Sequence, residues 1–275
     1  MAEPPKPDLE KLLASPSYRK ARDDPDFLAR EDLRGLRLQL EYLKVEKLLD
    51  EQGVHSMIVV FGGTQILPHD AALARMERAN AAMASGAAKS AREASIAGRV
   101  LAKSRYYDQA RELGRIVSSA CQNDGLCDYM IVTGGGPGIM EAANRGAYEA
   151  GAKSAGFNIT LPDEQLPNPY ITPELCFQFH YFAVRKMHFL LRAKALVCFP
   201  GGLGTLDELL DALTLRQTNK MQNIPILLFG KDYWDKVVDF QFLADEGAIR
   251  DEHLKLFEYV DSPTEAWERI QAFHA

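Results

Sequence analysis

With four cysteines among 275 residues, thiol chemistry has little to organise in this chain. Cys121, Cys127, Cys176 and Cys198 show no metal-ligand spacing. Cys176 and Cys198 lie in apolar runs and read as buried small hydrophobes, so reduced thiols in a cytosolic protein are the expectation. The six histidines form no H-E-x-x-H or other ligand spacing, so no metal site is expected. His180 and His188 read as structural. An excess of basic charge is also missing: 32 Lys and Arg stand against 38 Asp and Glu, a net charge of −6. That balance argues against a nucleic-acid partner, which would call for a basic face. It leaves room for a local anion site. No apolar stretch is long enough to span a bilayer. The start, Met1-Ala2-Glu3-Pro4-Pro5-Lys6-Pro7-Asp8, lacks the apolar segment of a signal peptide. A cytoplasmic protein without a membrane partner is expected. The G-x-x-x-x-G-K-[ST] pattern and the serine-hydrolase elbow are absent too, which removes P-loop and serine-nucleophile chemistry.

The residues that are present suit a soluble globular protein, with 47% hydrophobic and 25% charged. Residues 1–27, rich in proline and charge, read as a flexible N-terminal arm with at most one short helix. Residues 28–275 read as a single domain. Leu33, Leu36, Leu40 and Leu43 make an apolar stripe on a helix over 28–52, with Gly53 as its stop. Met57-Ile58-Val59-Val60-Phe61 is a continuous apolar run, as expected for a strand covered on both faces. An Ala-rich stretch over 70–104 favours helix, interrupted by Gly86. Further strands are expected over 129–133, 155–159, 175–179, 195–199, 224–229 and 257–260. Helices are expected over 106–119, after Met140, over 181–193, 205–219 and 232–244, and after Ser262-Pro263. Strands alternating with helices predict an α/β, Rossmann-like, doubly wound and mostly parallel sheet with helices on both faces.

Three glycine-rich turns fall at expected strand ends: Gly62-Gly63-Thr64, Gly134-Gly135-Gly136-Pro137-Gly138 and Gly201-Gly202-Leu203-Gly204-Thr205. Ligands of such sheets bind at those ends. A glycine turn entering a helix offers bare backbone N–H groups and the positive end of the helix dipole, a natural phosphate cradle. Neither long turn completes G-x-G-x-x-G, because Ile139 and Asp207 stand where the last glycine belongs. A mononucleotide phosphate therefore fits better than a dinucleotide. Thr205-Leu206-Asp207-Glu208 has the S/T-x-x-E form of a capping box, which would make Glu208 structural. Alternatively Glu208 faces a sugar and stabilises positive charge on its ring or orients a water. Arg185-Lys186, set among Phe182, Met187 and Phe189, reads as paired or ligand-facing, and Arg185 could hold a phosphate or fix Glu208.

Pro200 through Glu208 matches P-G-G-x-G-T-x-x-E, Gly134–Met140 resembles a second glycine motif, and Arg185-Lys186 an R-K element. Together they resemble the Lonely Guy family of cytokinin riboside 5′-monophosphate phosphoribohydrolases, in its longer bacterial form, over roughly residues 55–230. The resemblance implies an N-glycosidase that releases free base and ribose 5-phosphate from a cytokinin ribotide or AMP. It implies a homodimer or higher oligomer with sites near the interface, and no cofactor. By residue it implies catalysis by Arg185 and Glu208. Phosphate and substrate binding would fall to Gly62, Gly63, Gly135, Gly136, Met140, Lys186, Gly201, Gly202, Gly204 and Thr205. The family's other label, lysine decarboxylase, would need pyridoxal phosphate on a lysine, for which the sequence offers no site. The alternative reading is a non-catalytic nucleotide or molybdenum-cofactor binding protein of the same fold.

Overall fold

The computed structural model describes residues 8–85, 90–121, 127–161 and 166–275. Its compact units are Met1–Lys44 and Val45–Ala275. In the first, Asp8 caps α1 (Leu9–Ala14) and Asp24 caps α2 (Pro25–Leu28), each carboxylate accepting a first-turn backbone N–H. Helix α3 (Arg34–Glu51) begins in this unit and ends in the second, where Val45 and Leu49 are buried.

The second unit opens with β1 (Met57–Phe61), α4 (His69–Ala84), α5 (Ser90–Lys103) and α6 (Arg105–Cys121). Strand β2 (Met130–Thr133), α7 (Ile139–Glu149), β3 (Ser154–Ile159) and β4 (Cys176–Phe179) follow. Then come α8 (Phe182–Leu191), β5 (Ala193–Cys198), α9 (Leu203–Gln217) and β6 (Ile226–Phe229). The chain ends with α10 (Lys231–Val237), α11 (Phe240–Asp245), β7 (Glu258–Val260) and α12 (Pro263–His274).

The strands form one sheet in the order β4-β3-β2-β1-β5-β6-β7. Every strand pairing is parallel, so the expected Rossmann-like sheet is fully rather than mostly parallel. Strand β1 lies in the middle with all five residues buried, which accounts for its unbroken apolar sequence. Its period-2 alternation divides the core. Ile58 and Val60 point into the cluster built with Leu113 of α6, Ala143 of α7 and Ile270 of α12. Phe61 points to the opposite face and meets Phe189 of α8, ring centroids 4.9 Å apart. Successive strands step outward from β1 in one direction through β4, then restart on its other side with β5. The gap between β1 and β5 is therefore the switch point where such sheets hold ligands.

Several expectations need correction. Cys176 is exposed, not buried. It lies on the edge strand β4, whose residues alternate exposed and buried because one face of the edge is open. The helix expected over 232–244 is two helices. Asp239 accepts the N–H of Phe242 at 2.9 Å and so starts α11 as a separate element. The Ala-rich segment is also two helices, α4 and α5, while Gly86, Ala87 and Ala88 lie outside the described residues. The C-terminal helix starts as expected: Ser262 accepts the N–H of Glu265 at 3.2 Å, with Pro263 in the first turn.

Candidate functional site

The three glycine turns interlock at the carboxyl ends of β2, β1 and β5. The N–H of Gly63 donates to the carbonyl of Pro200 at 2.9 Å, and that of Ile139 to the carbonyl of Gly63 at 3.3 Å. The turn after β1 is thus stitched to both neighbours. The packing leaves no room for side chains: a Cβ on Gly62 would lie 2.6 Å from Ile139 Cβ, and one on Gly138, at φ +74°, would lie 2.4 Å from the carbonyl oxygen of Gly63.

Helix α9 begins at Leu203 with Gly202 as its N-cap, and no side chain caps it. Thr205 and Glu208 therefore sit within the helix, and the capping box that their spacing allows is not formed. The early start has a steric cause. With Gly201 lacking a side chain, Thr205 folds back over it, its Oγ1 only 2.0 Å from where a Cβ would be. Tyr233 donates its hydroxyl to the carbonyl of Gly201 and anchors the turn from behind. A Cβ on Gly202 or Gly204 would meet nothing within 4 Å. The first turn of α9 accordingly faces open space with its backbone N–H groups unobstructed.

That space is a cleft of about 470 Å³. Of the residues expected at a site, Gly62, Gly63 and Met140, Gly202, Gly204 and Thr205, and Arg185 and Glu208 all line it. Four expected residues are not in the lining. Gly201 is covered by Thr205. Lys186 bonds Asp207 at 2.7 Å. Gly135, at φ +77°, is covered by the Asn158 side chain, whose Oδ1 lies 2.2 Å from a Cβ position there. The carbonyls of Gly135 and Gly136 are both held by Asn168 Nδ2, each at 3.2 Å. Asn168 Nδ2 also donates to Asn144 Oδ1 at 3.0 Å, and Asn144 Oδ1 accepts from the Thr133 hydroxyl at 2.7 Å. The Gly135 N–H is used by Thr133 Oγ1 at 3.0 Å. The second glycine turn is thus braced from within by buried side chains, while the turn at α9 is left open.

Arg185 on α8 spans the cleft. Its Nε donates to the carbonyl of Phe157 on β3 at 2.7 Å, and its Nη1 lies 3.9 Å from Glu208 Oε1. Its guanidinium stacks 5.0 Å above the Phe189 ring. The side chains of Arg185 and Glu208 are only 13% and 10% exposed. At 3.9 Å the pair is beyond hydrogen-bonding distance, and burial outweighs the mutual attraction. Burial pushes the Glu208 carboxyl up to about 7, against the opposing pull of Arg185 and then Lys186. Burial likewise lowers Arg185, opposed by Glu208. The cleft therefore holds a carboxyl poised to exchange a proton near neutral pH, beside a guanidinium and an open helix N-terminus. Among the described residues, no group of three or more His, Cys, Asp or Glu is placed to hold a metal ion. No described helix is long and apolar enough to cross a membrane.

Gly134, from the second glycine turn, also lines the cleft, as do Asn158 and Phe182, which sequence reasoning passed over. Asn158 left a signal: a polar residue at the carboxyl end of an otherwise apolar buried strand. Phe182 left none, since an aromatic residue opening a helix reads as core.

Known proteins resemble parts of this chain. The family model described as "Possible lysine decarboxylase" matches residues 140–270. The pyrimidine/purine nucleotide 5′-monophosphate nucleosidase of Escherichia coli K12 is 34% identical over 116 residues, 38% of this chain and 25% of that protein. A probable cytokinin riboside 5′-monophosphate phosphoribohydrolase of rice is 27% identical over 176 residues, 62% of this chain and 66% of that protein. The chain thus spans a quarter of the length of the nucleosidase. Among solved structures, the molybdenum cofactor binding protein of Rippkaea orientalis is similar at TM-score 0.49 and 18% identity, covering 80% of this chain and 98% of that one. The family model, the curated relatives and the motifs around Arg185 and Glu208 agree in direction: over its matched residues the chain is similar to the Lonely Guy, or "possible lysine decarboxylase", family.

Proposed function

We propose that this chain hydrolyses the N-glycosidic bond of a nucleoside 5′-monophosphate, a cytokinin ribotide or AMP, to free base and ribose 5-phosphate. The observation that carries this reading is the buried Arg185–Glu208 pair, facing the same cleft as the uncapped first turn of α9. The names of the relatives, a nucleotide 5′-monophosphate nucleosidase and a phosphoribohydrolase, support it.

On this reading the phosphate sits at the N–H groups around Gly202, Gly204 and Thr205, where the helix dipole favours an anion. The ribose then lies over Arg185 and Glu208. As the bond from C1′ to the base nitrogen breaks, its electron pair leaves with the base and positive charge grows on C1′ and the ring oxygen. The Glu208 carboxylate stabilises that charge and takes a proton from the water that attacks C1′. The base receives a proton in turn, so the products are neutral base and ribose 5-phosphate. Arg185 keeps Glu208 oriented and its charge compensated. The same resemblance supports a cytoplasmic homodimer. Exposed apolar residues beside the cleft, Phe182 and Met187 on α8 and Leu203 and Leu210 on α9, are consistent with a covered face.

The test is chromatographic detection of base from AMP with wild type and Glu208→Gln. Removing a general base costs roughly 100-fold to 10,000-fold in turnover, while calorimetric AMP affinity changes little. Wild-type turnover by Glu208→Gln refutes the assignment. Wild-type protein that binds nucleotide and releases no base supports the non-catalytic nucleotide or molybdenum-cofactor carrier instead.

A further inference from the structure

Asn158 stands at the carboxyl end of β3 and is 5% exposed. Its Nδ2 donates to the carbonyl of Phe177 on β4 at 3.1 Å and approaches the carbonyl of Gly156 at 3.4 Å. Only the N–H groups of an amide can satisfy carbonyls on that side, so Oδ1 must point the other way. Contact with Gly135, over which the amide lies, keeps the group from swinging. Among the described residues no donor is placed on Oδ1, yet this oxygen is not sealed from solvent. Asn158 lines the cleft. The chain thus presents a single oriented hydrogen-bond acceptor to a ligand.

Its position along the cleft is given by Arg185, which bonds the carbonyl of Phe157, the residue before Asn158, and reaches Glu208 at its other end. Strands β3 and β5 are separated by β2 and β1, roughly 14 Å at the spacing of paired strands. A nucleotide with its phosphate at α9 and its C1′ near Glu208 carries its base toward β3. There Ile159, Leu161 and Phe182 provide apolar walls and Asn158 the polar contact.

We propose that Asn158 Oδ1 selects nucleobases bearing an exocyclic amino group, adenine or cytosine, over their keto counterparts. The proposal rests on the nucleotide reading of the cleft given above. An amino group donates to the fixed oxygen, whereas a keto oxygen in its place leaves two acceptors facing each other in a desolvated site. An N6-substituted adenine keeps one N–H and remains a donor.

The experiment measures kcat/KM for AMP, IMP, CMP and UMP by chromatographic base release, with full-chain wild type and Asn158→Ala. Wild type is expected to favour AMP over IMP and CMP over UMP by roughly 10-fold to 100-fold, and the variant to lose that preference. Each ratio is taken within one preparation, so a reduced folded fraction cancels. If Asn158→Ala does not fold, wild type is given purine riboside 5′-monophosphate, which lacks the amino group and should fare as poorly as IMP. Equal turnover of AMP and IMP by wild type, as a contact to a ribose hydroxyl would produce, overturns the proposal. So does an unchanged ratio in the variant. If wild type releases base from no nucleotide, the hydrolase reading fails by itself, and calorimetric binding of AMP and IMP then decides: tighter AMP upholds the role of Asn158 and equal affinity rejects it.

Discussion

Arg185 and Glu208, on helices that enter and leave β5, face each other at 3.9 Å across the cleft, close enough to interact and too far to bond directly. That separation leaves Glu208 with a proton affinity set mainly by burial, near 7.

The first consequence concerns activity. If the carboxylate form of Glu208 is the working one, kcat/KM rises with pH and levels off above about 7. A pH–rate profile for AMP hydrolysis checks this, and the rising limb should vanish from the residual activity of Glu208→Gln. A limb that survives the substitution belongs to another group.

A second consequence concerns stability and runs in the opposite direction. The folded protein holds a proton on Glu208 that the unfolded chain releases above the ordinary value of 4.5. Stability is therefore lost as pH rises from that value toward the folded one, by about 3 kcal/mol at the end of the window. Glu208→Gln removes the titration, so its melting temperature relative to wild type should climb between pH 5 and pH 8. Parallel curves for the two proteins would show that the carboxyl is not desolvated as described.

Glycines in the two long turns should respond differently to alanine. Gly135→Ala forces a side chain onto Asn158 Oδ1 at 2.2 Å and into φ +77°. It should cost more than about 1 kcal/mol in stability. Gly204→Ala meets nothing within 4 Å on a helix and should stabilise the fold by about 0.4–1 kcal/mol. It should also raise the KM for nucleotide, because the new methyl group stands over the proposed phosphate position. Thermal melts and kinetics on the two variants separate packing glycines from ligand-facing ones.

The Lys186–Asp207 ion pair lies at the surface end of the cleft, with the Asp207 side chain 52% exposed. Solvent screens such a pair, so Lys186→Ala should change stability by no more than about 1 kcal/mol. A larger loss in a urea titration would mean that Lys186 does more than balance Asp207.

Much of this protein was legible from its sequence because the signals were local. The apolar run Met57–Phe61 is a central strand since only burial on both faces tolerates five consecutive hydrophobic residues. Ser262-Pro263 starts a helix since capping involves residues three apart. The turn motifs marked the strand ends. Other features depended on partners far along the chain. The spacing of Thr205 and Glu208 is equally good for a capping box; what excludes it is the earlier start of α9 over Gly201, with Thr205 packed into the space a side chain would fill. Gly135 reads as a phosphate-binding glycine, and only the packing of β3 against its turn shows that Asn158 occupies the space above it. Cys176 reads as core until the strand order places β4 at an edge. By itself, then, the sequence determined the alternation of strands and helices, the turns between them and the residue types available for chemistry, because these follow from neighbours in the chain. Which glycines face the cleft, how far Arg185 stands from Glu208, and where the Asn158 amide points were decided by tertiary structure alone, since each depends on contacts between segments that only packing brings together.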